Sequence, residues 1–225
     1  FKDKIYSLEV EAYFKNTDNR IDYIDGSDLI GQNTIETEIL SGESRAYGLE
    51  VLLRKNEGDF TGWIAYTLAK SEQRTPGGSA GGLGINNGNW YNTSYDRTHD
   101  ISVSGAYRLN DKWSFAANVV FQTGRPVTYP NSQYTYEDLS IASYAPRNSD
   151  RLPAYHRLDL SVNYKPNKKP NAKLKGEWVL GIYNAYSRKN AAQISFGQNI
   201  DTGVNEATRL SIFGIVPSIT YNFKF

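Results

Sequence analysis

Apolar and polar residues take turns along most of this chain. In the closing stretch SIFGIVPSITYNFKF, Ile215, Pro217, Ile219, Tyr221, Phe223 and Phe225 fall on one side of an extended backbone, and Val216, Ser218, Thr220, Asn222 and Lys224 on the other. Period two is the geometry of a strand. A helix would scatter the apolar residues and place Pro217 in its interior, at a cost of about 3 kcal/mol. The same alternation carries Tyr6, Leu8, Val10, Ala12 and Phe14, then, after a turn at NTDN, a weaker strand over 20–24. It returns in Tyr47, Leu49, Val51 and Leu53, and in 61–70, where Ile64, Tyr66 and Leu68 are expected to form the apolar face beside Trp63. Ile101, Val103 and Tyr107 form a hairpin with Trp113, Phe115, Ala117, Val119 and Phe121 across NDK; Leu158, Leu160, Val162 and Tyr164 precede Trp178, Leu180 and Ile182. About nine strands are expected, each of roughly ten residues, which is what a tilted strand needs to cross a bilayer.

The connections alternate too. NTDN, KNEGD, NDK and KPNKKPNA are short, whereas 25–43, 72–97, 123–154 and 187–209 are long and rich in Gly, Asn, Ser, Thr and Tyr. Structureless loops of this length count against a compact soluble domain. They suit an outer-membrane barrel, with short turns on the periplasmic side and long loops outside. Rings cluster near the strand ends, with aliphatic residues between them, as in the aromatic girdles at two water–lipid interfaces. The opposite face carries Glu9, Glu11, Glu50, Arg54, Arg108, Arg157, Asp159 and Lys224, which fits a watery or plugged lumen. The fold expected is therefore all-β, an antiparallel transmembrane β-barrel segment. A soluble antiparallel sheet with one wet face predicts the same alternation and stays open as the alternative.

Composition narrows the partners. Twenty-five basic and 24 acidic residues leave a net charge of +1, so there is no polybasic footprint for nucleic acid. Seventeen Tyr, nine Phe and four Trp stand out against a mean hydropathy of -0.57. Cysteine is absent, which removes disulfides, thiolate nucleophiles and Cys-based metal sites together. Methionine is absent as well, and the chain is expected to be a processed or partial product. With the C-terminus periplasmic, following strand direction backwards through nine strands has the first one descending from outside. An odd number cannot close a bacterial barrel, so residues 1–225 are expected to be the C-terminal part of a larger one.

Candidate chemistry is sparse. YDRTHD brings together Asp96, Arg97, His99 and Asp100; on a regular strand Arg97 and His99 would share one face, and Asp96 and Asp100 the other. One imidazole without a second ligand is a poor metal site, so these residues and His156 are expected to anchor a loop at the barrel rim, with no metal. GGSAGGLG lacks the strand-to-helix setting and Lys-Ser/Thr ending of a phosphate loop. No serine sits in a nucleophile elbow, and no enzyme is expected.

Five segments together resemble the C-terminal barrel of TonB-dependent outer-membrane receptors: GESRAYGLEVLLRKNEGDFTGWIAYTLAKSE, WYNTSYDRTHDISVSGAYRLNDKWSFAANVVFQTGRPVTYP, RLPAYHRLDLSVNY, GEWVLGIYNAYSRKN and IFGIVPSITYNFKF. The resemblance implies a 22-stranded barrel closed by an N-terminal plug, set in the outer membrane of a Gram-negative bacterium. It also implies active uptake of a scarce nutrient such as a siderophore, glycan or peptide, energised by TonB with ExbB and ExbD, with no cofactor. The plug, its TonB box and the earlier strands would lie upstream. The ending is more similar to receptors with a carboxypeptidase-like regulatory domain than to glycan importers that pair with a surface lipoprotein. A passive porin or barrel adhesin is the alternative function. Substrate contacts are expected from loop aromatics and their neighbours, Trp90, Tyr91, Tyr95, Tyr134, Tyr136, Glu137 and Asp138, because stacking rings beside polar groups suit such ligands. Tyr221, Phe223 and Phe225 resemble the terminal signal read by the BamA assembly machinery.

Overall fold

The computed structural model describes residues 5–25, 27, 36, 38–77, 82–137, 139–166, 175–199, 201 and 204–224. In chain order the strands are β1 (Tyr6–Tyr23), β2 (Ile39–Lys55), β3 (Phe60–Arg74), β4 (Tyr91–Asn92), β5 (His99–Arg108), β6 (Trp113–Gln122), β7 (Pro126–Val127), β8 (Pro130–Tyr136), β9 (Leu139–Tyr144), β10 (Asp150–Arg151), β11 (Tyr155–Tyr164), β12 (Lys175–Tyr183), β13 (Gln193–Gln198), β14 (Asn205–Leu210) and β15 (Val216–Lys224). The long strands form one antiparallel meander, β1-β2-β3-β5-β6-β11-β12-β15, and β4 adds to β3, giving a nine-stranded sheet. Among the described residues no helix is long and apolar enough to cross a membrane, which leaves crossing by strands untouched.

The expected turn at NTDN is not a turn. β1 runs unbroken through it, and its register against β2 slips between Thr17 and Arg20. Asn19 sits at φ 55, a left-handed conformation that asparagine takes more readily than most residues, so the surplus residues are absorbed as a bulge. Residues 20–23 of the expected 20–24 strand therefore extend the first strand, and the ninth strand of the sheet is β4. The direction expected for the first strand reverses: β1 rises from the short-turn end to the long-loop end. The expected loop 25–43 also shortens, because β2 already begins at Ile39.

Register lines up the alternating residues into rows. Leu8, Leu53, Ile64, Val103, Val119 and Leu158 are successive partners across six strands. Toward the last strand Tyr164, Trp178 and Tyr221 follow Trp113, and Leu180 faces Ile219. Ile64 is thus the outward residue and Trp63 lies on the other face, as the alternation predicts. These apolar side chains are open to the surroundings, Val10 at 59% and Ile219 at 67%. Among the described residues the large buried apolar side chains are Ile85, Tyr91 and Leu152, and Tyr91 alone of these belongs to the sheet, on the two-residue β4. A soluble sheet would have to cover this band, since each Å² of apolar surface left in water forgoes about 25 cal/mol. In lipid the band needs no cover, and the soluble alternative fails on it.

Rings close the band at the short-turn end. Trp113 stacks on Tyr164 with centroids 4.4 Å apart, Trp178 meets Tyr221 at 4.5 Å, and Tyr221 stacks on Phe223 at 6.2 Å. Phe60 lies over Gly105, whose missing Cβ leaves room for the ring. At the other end Phe14 stacks on Tyr47 and Tyr66 on His99. The second face is polar: Glu11 is the direct partner of Glu50, Asn118 of Asp159, and Asn163 of Ser114. All four long connections leave from the same edge of the sheet, at Tyr23, Arg74, Gln122 and Tyr183, while the short ones join the opposite edge.

Candidate functional site

The site is the roof that the long connections build over the polar face. Its first anchor is Asp22, which the bulge carries onto that face opposite Leu40. Tyr91 Oη donates to Asp22 Oδ2 at 2.8 Å and accepts from Gln73 Nε2 at 3.0 Å; its contact with Thr75 Oγ1 is 3.0 Å. Arg147, from the β9–β10 connection, donates to Asp22 Oδ1 at 3.2 Å, to Asp25 Oδ1 at 2.7 Å and to the Tyr23 carbonyl at 2.9 Å. Burial pushes the Tyr91 phenol up to about 12, and the neighbouring Asp22 carboxylate adds to it. Arg147 also rests above its ordinary value: burial works against its charge, but the hydrogen bond to Asp25 and the two carboxylates outweigh that.

The second anchor is Asp96, whose side chain is 0% exposed. Its carboxylate accepts from the Ser71 amide at 2.6 Å and pairs with Arg151, whose Nη1 also donates to the Gly124 carbonyl at 3.0 Å. A buried carboxylate needs this many partners, because an unpaired one would cost several kcal/mol in desolvation. Asn92 and Asn148 exchange amide-to-carbonyl hydrogen bonds of 3.3 and 2.7 Å alongside. A third anchor is Asn184, held at φ 53. Its Nδ2 donates to the carbonyls of Arg188, Phe213 and Gly214, and its own amide donates to Asp159.

The YDRTHD residues divide differently from the strand rule. β5 starts only at His99, so Arg97 is free of the alternation, and its guanidinium reaches Gln122, which in turn donates to Asp100 Oδ2 at 2.7 Å. Arg97 therefore joins Asp100, not His99. His99 faces outward, its Nδ1 2.9 Å from the Tyr66 hydroxyl; His156 is likewise 2.8 Å from that of Tyr186. Each histidine has a tyrosine as its ring partner, and no group of three metal-ligating side chains occurs among the described residues.

The expected contact residues also part ways. Trp90 has Arg45 and Arg74 against its ring, with guanidinium carbons 4.1 and 5.2 Å from the ring centre, and Tyr91 is buried in the first anchor. Tyr91 is thus committed to the roof, while Trp90 is half-buried against two strand arginines. Tyr95, Tyr134 and Tyr136 are exposed, and Glu137 turns the β8–β9 hairpin at φ 46. Asp138 and Phe225 lie outside the described residues.

Sequence reading missed the principal opening. The β8–β9 and β13–β14 hairpins come from different long connections and meet where Asn205 Nδ2 donates to Gln133 Oε1 at 2.8 Å. Between them lies a groove of about 590 Å³ lined by residues including Asn131, Gln133, Tyr144, Phe196 and Asn205. A second recess of about 380 Å³ continues from it through Pro130, Tyr144 and Phe196 to Tyr129 and Asn148. The alternation within ISFGQ and EATRL was the one available signal for the second hairpin, and it was hidden inside a segment read as loop.

A membrane-facing apolar band, a polar inner face and a roof of anchored loops are the parts of a transmembrane barrel wall. The family described as TonB dependent receptor-like, beta-barrel matches residues 1–185, and no curated protein matches the chain. Such barrels belong to outer-membrane transporters. With 185 of 225 residues covered, the chain belongs to the TonB-dependent receptor-like β-barrel family.

Proposed function

We propose that residues 1–225 are the C-terminal part of the barrel of an active importer in the outer membrane of a Gram-negative bacterium, energised by TonB with ExbB and ExbD through an upstream plug. The observation that carries this reading is the division of labour in one sheet. Its outer rows are apolar and open, while its inner face holds paired carboxylates and arginines under loops tied down by Asp22, Asp96 and Asn184. A polar wall of this kind conducts a hydrophilic nutrient or grips a plug without burying unpaired charge. The cargo is a scarce nutrient, recognised first by the exposed loop surface to which Tyr95, Tyr134, Tyr136 and Glu137 belong, with Asp138 beside them in sequence. Asp96, Arg97, His99, Asp100 and His156 hold the rim rather than the cargo. Tyr221, Phe223 and Phe225 serve assembly by BamA.

The test is uptake by cells that depend on the intact receptor for their growth nutrient. Accumulation should collapse when a protonophore dissipates the proton gradient and when TonB is removed. Entry that continues at the same rate in both cases would show a passive pore and overturn the reading.

A further inference from the structure

The groove between the two hairpins has a chemistry of its own, and it deepens the transport reading on which it rests by selecting among nutrients. Its size falls within the range of about 300–1,000 Å³ that small-ligand sites occupy. The first recess holds no cation among its described lining residues. Among the described residues lining either recess, Arg125 of the second is the one cation, and its Nη2 donates to the Ala192 carbonyl at 3.3 Å. Glu206 is the carboxylate of the first recess, and it accepts from Asn199 at 3.0 Å. In that recess an anionic iron chelate or phosphate ester would find no guanidinium or ammonium to replace its lost hydration, and it would face the Glu206 carboxylate.

What the walls do offer is rings and amides. Tyr144 is 62% exposed and Phe196 45%, and Phe196 is held edge-on to Tyr129 at 5.0 Å between centroids. Asn131 and Asn205 each carry a donor and an acceptor in one plane, the pattern that adjacent hydroxyls on a sugar ring satisfy together. At the far end the Tyr129 hydroxyl is buried without a hydrogen-bond partner among the described residues. Such a group is uncommon, because a buried hydroxyl without a partner forgoes the hydrogen bonds it made in water. Burial, with Asp150 nearby, raises the pKa of that phenol and holds it in its neutral form. Aromatic faces for C–H surfaces, planar amides for paired hydroxyls and a first recess without a cation describe one class of cargo. We infer that the groove between β8–β9 and β13–β14 is the receptor's outer recognition site for a neutral oligosaccharide.

The test is titration calorimetry on the intact receptor in detergent, with four probes: maltohexaose, laminarihexaose, hexagalacturonate and a ferric hydroxamate chelate. One of the neutral hexasaccharides should bind, and hexagalacturonate should bind more weakly than it. The double variant Tyr144→Ala/Phe196→Ala, whose side chains are exposed, should weaken that binding about tenfold with the barrel still heat-modifiable on a gel. Tyr129→Phe should weaken it by a smaller factor with the barrel still heat-modifiable on a gel. Failure of both neutral hexasaccharides to bind, binding that the double variant leaves unchanged, or preference for the chelate would each overturn the assignment. The outcome is separable from the transport reading: saccharide binding without energised uptake would keep the groove and remove the importer, and energised uptake of the chelate would do the reverse.

Discussion

Asp22 shows how much one side chain can do once the backbone has placed it. Nothing near it in the sequence distinguishes it from Asp18 or Asp25, yet it receives Tyr91, Gln73 and Arg147, the last of them 125 positions away. Its neighbour Tyr91 carries a testable pH dependence. The neutral phenol is the form that donates to Asp22, and its pKa is raised from 10.0 to about 12. The contribution to rim stability is therefore complete below the ordinary value and is lost as pH rises through the raised one. A phenolate absorbance titration, taken as the difference between the native receptor and Tyr91→Phe, should show this ring ionising after the exposed tyrosines. Hydrogen exchange in 123–154, taken relative to Tyr91→Phe at each pH, should accelerate in the same interval. Ionisation together with the exposed rings would contradict the buried anchor.

At the scale of the strand, facing decides tolerance. Val119 and Leu160 are open on the apolar face, whereas Asn118 is the partner of Asp159 and Ser161 is the partner of Ala116, both on the polar one. Arginine at Val119 or Leu160 should impair membrane assembly by about 2–4 kcal/mol if the site lies near mid-bilayer, while arginine at Asn118 or Ser161 should be accepted. Folded fractions read from heat-modifiable gel mobility check this, and equal losses at both pairs would refute the face assignment. The strand boundaries were less legible than the faces. β1 looked like two strands because NTDN has turn composition, but a turn needs the chain to reverse, and here β2 continues to offer partners on both sides of the bulge. Composition signals that a backbone can bend; only the neighbour decides whether it bulges or turns back.

For the whole molecule, the assembly role proposed for the last residues is separable from transport. Tyr221 and Phe223 continue the ring of aromatics begun by Trp113, Tyr164 and Trp178. Removing Phe225 should lower the amount of receptor assembled in the outer membrane, with energised uptake per assembled copy unchanged. Normal surface levels of the truncated protein would speak against an assembly role. The hairpins above the sheet were illegible for a related reason. β8–β9 and β13–β14 lie inside segments whose Gly, Asn and Tyr content reads as loop, and their mutual contact through Asn205 and Gln133 has no local counterpart in either segment.

By itself the sequence determined the strands' faces, the aromatic ends and the sidedness of the loops. Each of these is a local property, written in period-two alternation and in the distance from one strand to the next. Tertiary structure alone decided the register rows, the reading of 16–19 as a bulge, the union of Arg97 with Asp100, and the closure of the roof by Arg147 on Asp22 and Arg151 on Asp96. Those depend on which distant polar groups meet when the sheet is assembled. A buried charge must find a partner somewhere, but its own neighbourhood in the chain does not say where.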